Sequence, residues 1–229
     1  MLKAEGEIMT GYQDYVIKDG RLVGDFEGLY QDFDDPWHQS REHHLNDTRR
    51  QVAVDWCKRL RAQSSKHAPL VSRVLEVGCG FGFLTNTLSS QGFSSIGVDV
   101  AHEAVRLARE KNPGDVFLAR GLEDETMLGD LDPDVVIMAE VTWYVLENLG
   151  EFVQRLRDFA AGRDRPTYLI HLLTTYAPGT QQYGTDFFTD LDGILAYFDL
   201  EYLETGSVLT PREDDPLSRG TYFVAKVPA

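Results

Sequence analysis

Three glycines at alternating positions, Gly78, Gly80 and Gly82, follow a short apolar run and give the first indication of chemistry in this chain. Glycine lets the backbone turn tightly, and a ligand can lie against its main chain without meeting a Cβ atom. A helix that begins at such a loop directs its free N–H groups towards the ligand. Further along, Asp99 ends a second apolar run, where a carboxylate can accept hydrogen bonds from both ribose hydroxyls. The loop and the acid together predict a nucleoside-binding site.

The spacing of this loop separates three classes of nucleotide ligand. A triphosphate-binding loop would end in Gly-Lys-Ser or Gly-Lys-Thr, and this loop does not. A dinucleotide loop reads Gly-x-Gly-x-x-Gly, and its third glycine would fall at Phe83. Glu76 precedes the first glycine, where it would repel a pyrophosphate and attract the ammonium group of a methionine moiety. These charges favour a cationic sulfonium cofactor over a phosphorylated one.

The loop also resembles a known family motif. The stretch from Val74 to Gly82 resembles motif I of the class I S-adenosylmethionine-dependent methyltransferases, and Gly97-Val98-Asp99-Val100 resembles their motif II. The resemblance covers residues 70 to 175 and implies S-adenosylmethionine as the cofactor. The contacts that these two motifs imply are Glu76, Gly78, Gly80, Gly82 and Asp99. The alternatives are an NAD-linked oxidoreductase and a non-catalytic module that binds S-adenosylmethionine.

The segment after the third predicted strand departs from the family pattern. Family members often carry an aspartate there, which contacts the adenine amine, and a small residue before an acidic pair. If Glu123 and Asp124 align with that pair, Gly121 stands where the aspartate usually lies. We therefore expect the Leu122 main chain and the Glu123 side chain to contact the adenine. A solvated acidic loop is the alternative interpretation.

The segment after the fourth predicted strand lines the transfer site in this family. The resemblance implies that Glu140 contacts the cofactor or a substrate amine, and that Trp143 and Tyr144 form an apolar wall that excludes water. Tyr144 is also a catalytic candidate, while core packing is the alternative for both aromatic residues. Glu140 to Tyr144 further resembles a stretch of NodS-like N-methyltransferases, and so does Asp35-Pro36-Trp37. This second resemblance implies a sugar-like or other small polar acceptor.

Two further regions supply candidates for the acceptor site. His171 lies in the fifth predicted strand, and at the carboxyl end of that strand it would face the crevice and could remove a proton from the acceptor. A hydrogen-bonded core histidine is the alternative. Tyr176 follows in a long loop that is expected to line the substrate pocket. Nearer the N-terminus lies a dense group of aromatic and basic residues: Tyr30, Trp37, His38, Arg41, His43 and His44.

We expect this N-terminal group to close over the cofactor, with His38 as a catalytic candidate and Trp37 in the substrate pocket. Three histidines suggest a metal site, but His43 and His44 are adjacent, and neighbours on a helix point in different directions. We therefore expect no bound metal.

The order of elements predicts how these residues are positioned. Apolar strands alternate with helical patterns, which indicates a mainly parallel sheet covered on both faces. Two closely spaced strands, 201–209 and 220–227, indicate an antiparallel hairpin at the edge. The predicted fold is α/β and Rossmann-like, with seven strands in residues 69–229. Residues 1–68 are predicted to form a small cap with a short hairpin and a helix.

Charge and composition limit the partners of this protein. The formal charge is −15, whereas a nucleic-acid binder needs Lys and Arg to neutralise phosphates, so we expect neither nucleic acid nor an anionic membrane as a partner. Met1 to Glu7 contains no apolar segment of the kind found in a secretory signal. Two cysteines without a spacing motif fit a reducing compartment. We expect a cytoplasmic enzyme with a small-molecule substrate, and a homodimer is left open.

Overall fold

The computed structural model of this chain describes residues 11, 13–40, 47–63, 71–209 and 219–228. The strands in these ranges are β1 (Ile17–Lys18), β2 (Arg21–Leu22), β3 (Arg73–Val77), β4 (Ser94–Asp99), β5 (Val116–Ala119), β6 (Val135–Ala139), β7 (Tyr168–Thr175), β8 (Glu201–Leu209) and β9 (Arg219–Lys226). The helices in these ranges are α1 (Gln13–Val16), α2 (Phe26–Asp32), α3 (Thr48–Gln63), α4 (Phe83–Ser90), α5 (His102–Lys111), α6 (Met127–Leu131), α7 (Leu146–Ala161) and α8 (Leu191–Phe198). One turn of 3₁₀ helix covers Thr142–Tyr144.

A seven-stranded sheet with the order β5-β4-β3-β6-β7-β9-β8 forms the centre of the fold. Strands β3 to β7 pair in parallel, while β9 runs antiparallel to both β7 and β8. This arrangement confirms the predicted α/β fold with an antiparallel edge hairpin. The strand order reverses between β3 and β6, and ligands of open α/β sheets bind beyond the carboxyl ends of the strands at such a point.

Both faces of the sheet are covered, as β6 illustrates. Val136 and Met138 face the layer that contains α7 and α8, while Val135 and Ile137 face the layer that contains α3 and α4. Side chains alternate between the faces of a strand, so a strand buried on both faces reads as a continuous apolar run. The apolar runs of the sequence therefore identified the central strands.

The N-terminal hairpin is shorter than the sequence pattern suggests. Ile17 pairs with Leu22 around Asp19 and Gly20, which both have positive φ angles, as an Asp-Gly hairpin turn requires. Tyr15 lies in α1, directly before the hairpin. The sequence pattern also missed α2, whose first turn is capped by the Asp25 carboxylate.

Several predictions for the cap lie outside the described residues. These include Arg41, His43 and His44, residues just before the described part of the predicted cap helix, and the boundary between residues 68 and 69. The described part of that helix is α3, which begins at Thr48. Along the described part of the chain, no helix combines the length and apolar character needed to cross a bilayer.

Candidate active site

A cleft of about 1010 Å³ lies beyond the carboxyl ends of β3, β4, β6 and β7. Small-molecule sites usually measure about 300–1,000 Å³, so the cleft has room for a cofactor and an acceptor together. The predicted site residues that border it are Trp37, His38, Gly78, Asp99, Leu122, Glu123, Glu140, Trp143, Tyr144 and Tyr176. The predicted residues that do not border it are Glu76, Gly80, Gly82 and His171.

Glu76 is buried behind the glycine loop instead of on the cleft wall. Its carboxylate accepts hydrogen bonds from the Thr85 N–H, at 2.8 Å, and from the Thr85 hydroxyl. Thr85 lies in the first turn of α4, where backbone N–H groups lack partners within the helix. Burial raises the pKa of Glu76 to about 7, while the Thr85 hydrogen bonds act in the opposite direction. In this position the acid accepts hydrogen bonds from the first turn of α4 and does not border the cleft.

Gly78 is the member of the glycine triplet that borders the cleft. Its φ angle is 70°, and a Cβ atom there would lie 2.6 Å from Cγ2 of Val141. Gly80 has a φ angle of 52°, and a Cβ atom there would lie 2.6 Å from Nε2 of Gln39 and 2.8 Å from the Tyr30 hydroxyl. The triplet is therefore required both for backbone conformation and for the close approach of neighbouring segments.

Asp99 lies at the end of β4, on the cleft wall and only 8% exposed. Its carboxylate accepts hydrogen bonds from the backbone N–H groups of Gly80 and Ala101, both at 3.0 Å. Burial raises the pKa of Asp99, and the backbone hydrogen bonds oppose that rise. The two hydrogen bonds fix the orientation of the carboxylate, and lone pairs remain on both oxygens for a ligand.

A strap, residues 35–40, connects the N-terminal segment to the glycine loop. The Asp35 carboxylate accepts hydrogen bonds from the backbone N–H groups of Gln39, at 2.7 Å, and Ser40, at 3.0 Å. The side-chain Oε1 of Gln39 in turn accepts a hydrogen bond from the Phe81 N–H at 2.9 Å. The strap is thus hydrogen-bonded directly to the loop that follows β3.

The same strap contributes two of the predicted residues to the cleft. The Trp37 ring packs against the Tyr144 ring with 5.3 Å between centroids. His38 has a φ angle of 54° in the left-handed region, where a residue other than glycine is uncommon and often functional. Trp37 and Tyr144 therefore share one side of the cleft, which His38 also borders.

Trp143 and Tyr176 border the cleft as well. Trp143 is 5% exposed, and its indole N–H donates a hydrogen bond to the Thr174 carbonyl at 2.8 Å. Its ring centroid lies 5.7 Å from that of Tyr176 and 5.4 Å from that of Phe188. Trp143 thus combines both roles that the sequence left open, since it packs in the core and borders the cleft.

Arg49, which was not among the predicted site residues, is nearly buried in the cleft wall. Its guanidinium forms ion pairs with Glu140 and with Asp47, the latter at 2.8 Å. Burial opposes the charged form of Arg49, but the two carboxylates prevail and raise its pKa. Glu140, at a φ angle of 61°, also accepts a hydrogen bond from the Thr174 N–H at 2.8 Å. Much of the hydrogen-bonding capacity of Glu140 is therefore used within the protein.

The expectation that His171 faces the crevice is wrong. It is the fourth residue of β7, 0% exposed, and its ring stacks on Phe223 at 4.8 Å between centroids. Nε2 shares a hydrogen bond of 2.7 Å with the Thr142 hydroxyl. Burial lowers the pKa of His171 to about 3, so the ring is neutral at physiological pH. The structure places it as the core histidine that the sequence left as the alternative.

No group of three His, Cys, Asp or Glu side chains among the residues that the structure describes is arranged to hold a metal ion. Because His43 and His44 lie outside those residues, the expected absence of a metal remains a prediction.

Comparison with known sequences finds one matching family model and two curated relatives. Residues 75–160 match the family model described as a methyltransferase domain. Over 120 residues, the chain is 31% identical to the mitochondrial ubiquinone biosynthesis O-methyltransferase of Bos taurus, a match that covers 49% of this chain and 32% of that protein. The corresponding protein of Rattus norvegicus is 29% identical over 120 residues, with 49% and 34% covered. The match spans about a third of the length of these curated relatives.

Solved structures share the fold. The N-methyltransferase NodS from Bradyrhizobium japonicum WM9, in complex with S-adenosyl-L-homocysteine, superposes with a TM-score of 0.59 at 15% identity, covering 89% of this chain and 98% of that one. Magnesium protoporphyrin IX methyltransferase ChlM from Synechocystis PCC 6803, with bound S-adenosylmethionine, gives a TM-score of 0.50 at 20% identity, covering 95% and 90%. At these identities the likeness concerns the fold.

Residues 75–160 thus match a methyltransferase domain, and the chain shares its fold with solved methyltransferases. The residues of the cleft fit the chemistry of S-adenosylmethionine. Gly78 leaves a stretch of main chain open to the cleft, and Asp99 offers a fixed acceptor for ribose hydroxyls. The NAD alternative is not supported.

Proposed function

We propose that this chain transfers the methyl group of S-adenosylmethionine to a nitrogen or oxygen atom of a small polar acceptor. The observation that carries the proposal is that one continuous cleft contains both ends of such a reaction. Asp99 and Glu123 follow β4 and β5 on one side of β3, and Trp143 and Tyr144 follow β6 on its other side. The relatives are named as an O-methyltransferase and an N-methyltransferase, so the proposal includes both kinds of acceptor atom.

At the cofactor end, three residues have complementary chemistry. The Asp99 carboxylate is oriented by two backbone N–H groups and accepts the ribose hydroxyls. The main chain at Gly78 lies against the methionine moiety. Arg50 borders the cleft, and its guanidinium has no ion pair or hydrogen bond to another residue that the structure describes. We assign Arg50 as the partner of the methionine carboxylate, because a guanidinium and a carboxylate form strong charge-assisted hydrogen bonds.

At the acceptor end, aromatic rings shape the pocket. Trp37 and Tyr144 lie together on one side, and Trp143 and Tyr176 form a second aromatic pair. Such walls keep water away from the reacting atoms. A sugar-like acceptor is the narrower form of the proposal, supported by the resemblance of Glu140 to Tyr144 to NodS-like enzymes.

The bound cofactor supplies an activated methyl group, so the protein mainly contributes proximity and alignment. A base is required only when the acceptor atom arrives protonated. Among the described residues that border the cleft, His38 is the histidine available for this role. We assign it as the proton acceptor, and we assign Tyr144, whose ring packs on the neighbouring Trp37, as a hydrogen-bonding group that orients the acceptor. Glu140 is held in place by Arg49 and Thr174. We assign it to the part of the cleft wall between the cofactor and the acceptor.

The direct test measures release of S-adenosylhomocysteine from S-adenosylmethionine with a panel of amino sugars, small amines and small phenols. We expect turnover with at least one acceptor class, and its loss in Asp99→Ala. Exposed Glu151→Gln, on α7 and away from the cleft, is the matched control and should keep wild-type turnover. Tight S-adenosylmethionine binding without turnover on any acceptor would instead favour a non-catalytic binding module.

A further inference from the structure

Arg49 connects helix α3 to the ends of two strands of the central sheet. It lies in the first turn of α3, is only 5% exposed and borders the cleft. Its guanidinium forms an ion pair with Glu140, the residue after β6, and lies 3.4 Å from the Thr174 hydroxyl in β7. The Asp47 carboxylate accepts hydrogen bonds from its Nη2, at 2.8 Å, and from its Nε, at 3.2 Å. Because these acceptors use most of its donors within the protein, Arg49 affects a ligand chiefly through the neighbours that it holds.

The guanidinium lies over Gly220, the second residue of β9. Gly220 pairs with Thr174 of β7 on one side and with Val208 of β8 on the other, and the side chains of directly paired residues share one face of a sheet. A Cβ atom at Gly220 would lie 2.5 Å from Nε of Arg49 and 2.7 Å from its Cζ. The φ angle of Gly220 is not positive, so the backbone there suits other residues. It is therefore the close approach of Arg49 that requires glycine at this position.

Thr174 connects this cluster to the acceptor wall. Its backbone N–H donates a hydrogen bond to one oxygen of Glu140 at 2.8 Å, and its hydroxyl donates to the other at 3.1 Å. Its carbonyl accepts the hydrogen bond of the Trp143 indole N–H at 2.8 Å. The chain of contacts thus runs from the Arg49 guanidinium through two residues to the ring of Trp143.

Glu140 is the residue in this chain that most needs an external restraint. Its φ angle is 61°, and a residue other than glycine keeps such a conformation only where surrounding contacts hold it. The ion pair with Arg49 and the two hydrogen bonds from Thr174 are such contacts. The chain continues from Glu140 into the 3₁₀ turn that carries Trp143 and Tyr144. We therefore expect this turn to shift when the guanidinium is removed.

We propose that Arg49 is a positioning residue of the acceptor site, which holds the ends of β6 and β7 together and so fixes the Trp143 ring beside the acceptor. A planar guanidinium can hold several acceptors at once in a fixed geometry, which a lysine ammonium cannot. The inference rests on the proposed function, because it takes Trp143 as part of the acceptor pocket.

Steady-state kinetics with an acceptor that the wild-type enzyme methylates tests this role. Arg49→Met should raise the acceptor KM roughly 10- to 100-fold and change kcat less than about threefold, because the acceptor loses binding that is equal in the ground state and the transition state. Arg49→Lys should recover part of this loss, since lysine still pairs with Glu140. Gly220→Ala should also raise KM, because the added methyl group displaces the guanidinium without removing a polar group.

Two matched controls lie outside the cleft. Arg59→Met removes another arginine of α3, whose ion pair with Glu204 is largely exposed. Gly129→Ala adds a methyl group that meets nothing within 4 Å. Both should keep the wild-type KM, and urea unfolding of every variant ensures that only folded enzyme is compared. A KM within twofold of wild type in both Arg49→Met and Gly220→Ala would overturn the proposal.

A double-mutant cycle separates positioning from a general loss of stability. Trp143→Phe keeps an aromatic ring but removes the indole N–H that binds the Thr174 carbonyl. If Arg49 acts through Trp143, adding Arg49→Met to this variant should raise the acceptor KM less than about twofold further. Fully additive effects would show that Arg49 acts elsewhere and would contradict its positioning role.

A nuclear magnetic resonance measurement decides the proposal without turnover. The indole N–H resonance of Trp143, assigned by its loss in Trp143→Phe, should shift in Arg49→Met and Gly220→Ala and stay in place in both controls. A resonance that does not move in either variant would rule out the role of Arg49. Wild-type protein that binds S-adenosylhomocysteine but methylates no acceptor would instead overturn the proposed function and leave this measurement valid.

Discussion

Replacing Glu76 with glutamine tests the placement of this acid behind the glycine loop. The amide is nearly isosteric, and its oxygen can still accept the hydrogen bond from the Thr85 N–H. The variant therefore removes a buried ionisable group and leaves packing unchanged. The pKa of Glu76 is raised from 4.5 to about 7, and at about 1.4 kcal/mol per pKa unit this difference corresponds to roughly 3 kcal/mol.

The sign of the effect follows from where the proton is bound. Between pH 4.5 and 7, the folded protein keeps the Glu76 proton that the unfolded chain has lost. The contribution of Glu76 to stability is therefore fully present below pH 4.5 and is lost as the pH rises through 7. Because Glu76→Gln cannot ionise, the variant should gain stability relative to wild type by roughly 2–3 kcal/mol between pH 5 and pH 8.

Urea unfolding at pH 5, 6, 7 and 8 measures this difference directly. Glu151→Gln, which removes an exposed acid, should follow the wild-type pH dependence and serves as the control. Parallel wild-type and Glu76→Gln curves would refute the raised pKa. Calorimetry gives an independent check, because S-adenosylhomocysteine affinity should change less than about threefold. A loss of more than tenfold would instead indicate that Glu76 contacts the methionine ammonium directly.

Three further substitutions probe the loop, the ribose site and the core. Asp99→Ala should lower S-adenosylhomocysteine affinity at least tenfold by calorimetry, because a charged acceptor for the ribose is lost; unchanged affinity would contradict that role. Gly80→Val should lower the melting temperature and weaken cofactor binding, since φ is 52° and a side chain would overlap Gln39. His171→Ala should cost about 2–4 kcal/mol in urea unfolding, because it opens a cavity. Turnover of the folded His171→Ala enzyme should stay within about twofold, and a far larger loss would return His171 to a catalytic role.

The sequence predicted well those elements that a short stretch of neighbouring residues is sufficient to identify. The apolar runs fixed the parallel strands because both faces of the sheet are buried, and Asp99 followed from its position at a strand end. The same double burial explains the error at His171. Its side chain points to the same face as Leu169 and Leu173. Because both faces of the strand are apolar, the sequence does not show what the side chain of His171 packs against.

The interactions that could not be predicted join segments distant in sequence. Arg49 lies in the first turn of α3, where an arginine usually lies in solvent, yet it contacts Glu140, the residue after β6. Gly121 offered a local signal, the absence of an expected side chain. Only the structure shows that the Glu123 carboxylate occupies the volume in which a side chain at position 121 would begin. Long polar side chains reach across several ångströms, so their partners depend on tertiary packing and not on sequence spacing.

The glycine loop shapes both ends of the cleft, which its sequence motif alone does not suggest. The space left by the missing side chain of Gly80 is occupied by Gln39, whose Oε1 also accepts the Phe81 N–H. Gln39 lies in the same strap as Trp37, and Trp37 packs on Tyr144 in the acceptor wall. A side chain at position 80 would therefore displace the strap together with the loop. Gly80→Val should accordingly weaken acceptor binding as well as cofactor binding, whereas Asp99→Ala, which leaves the strap in place, should weaken the cofactor alone.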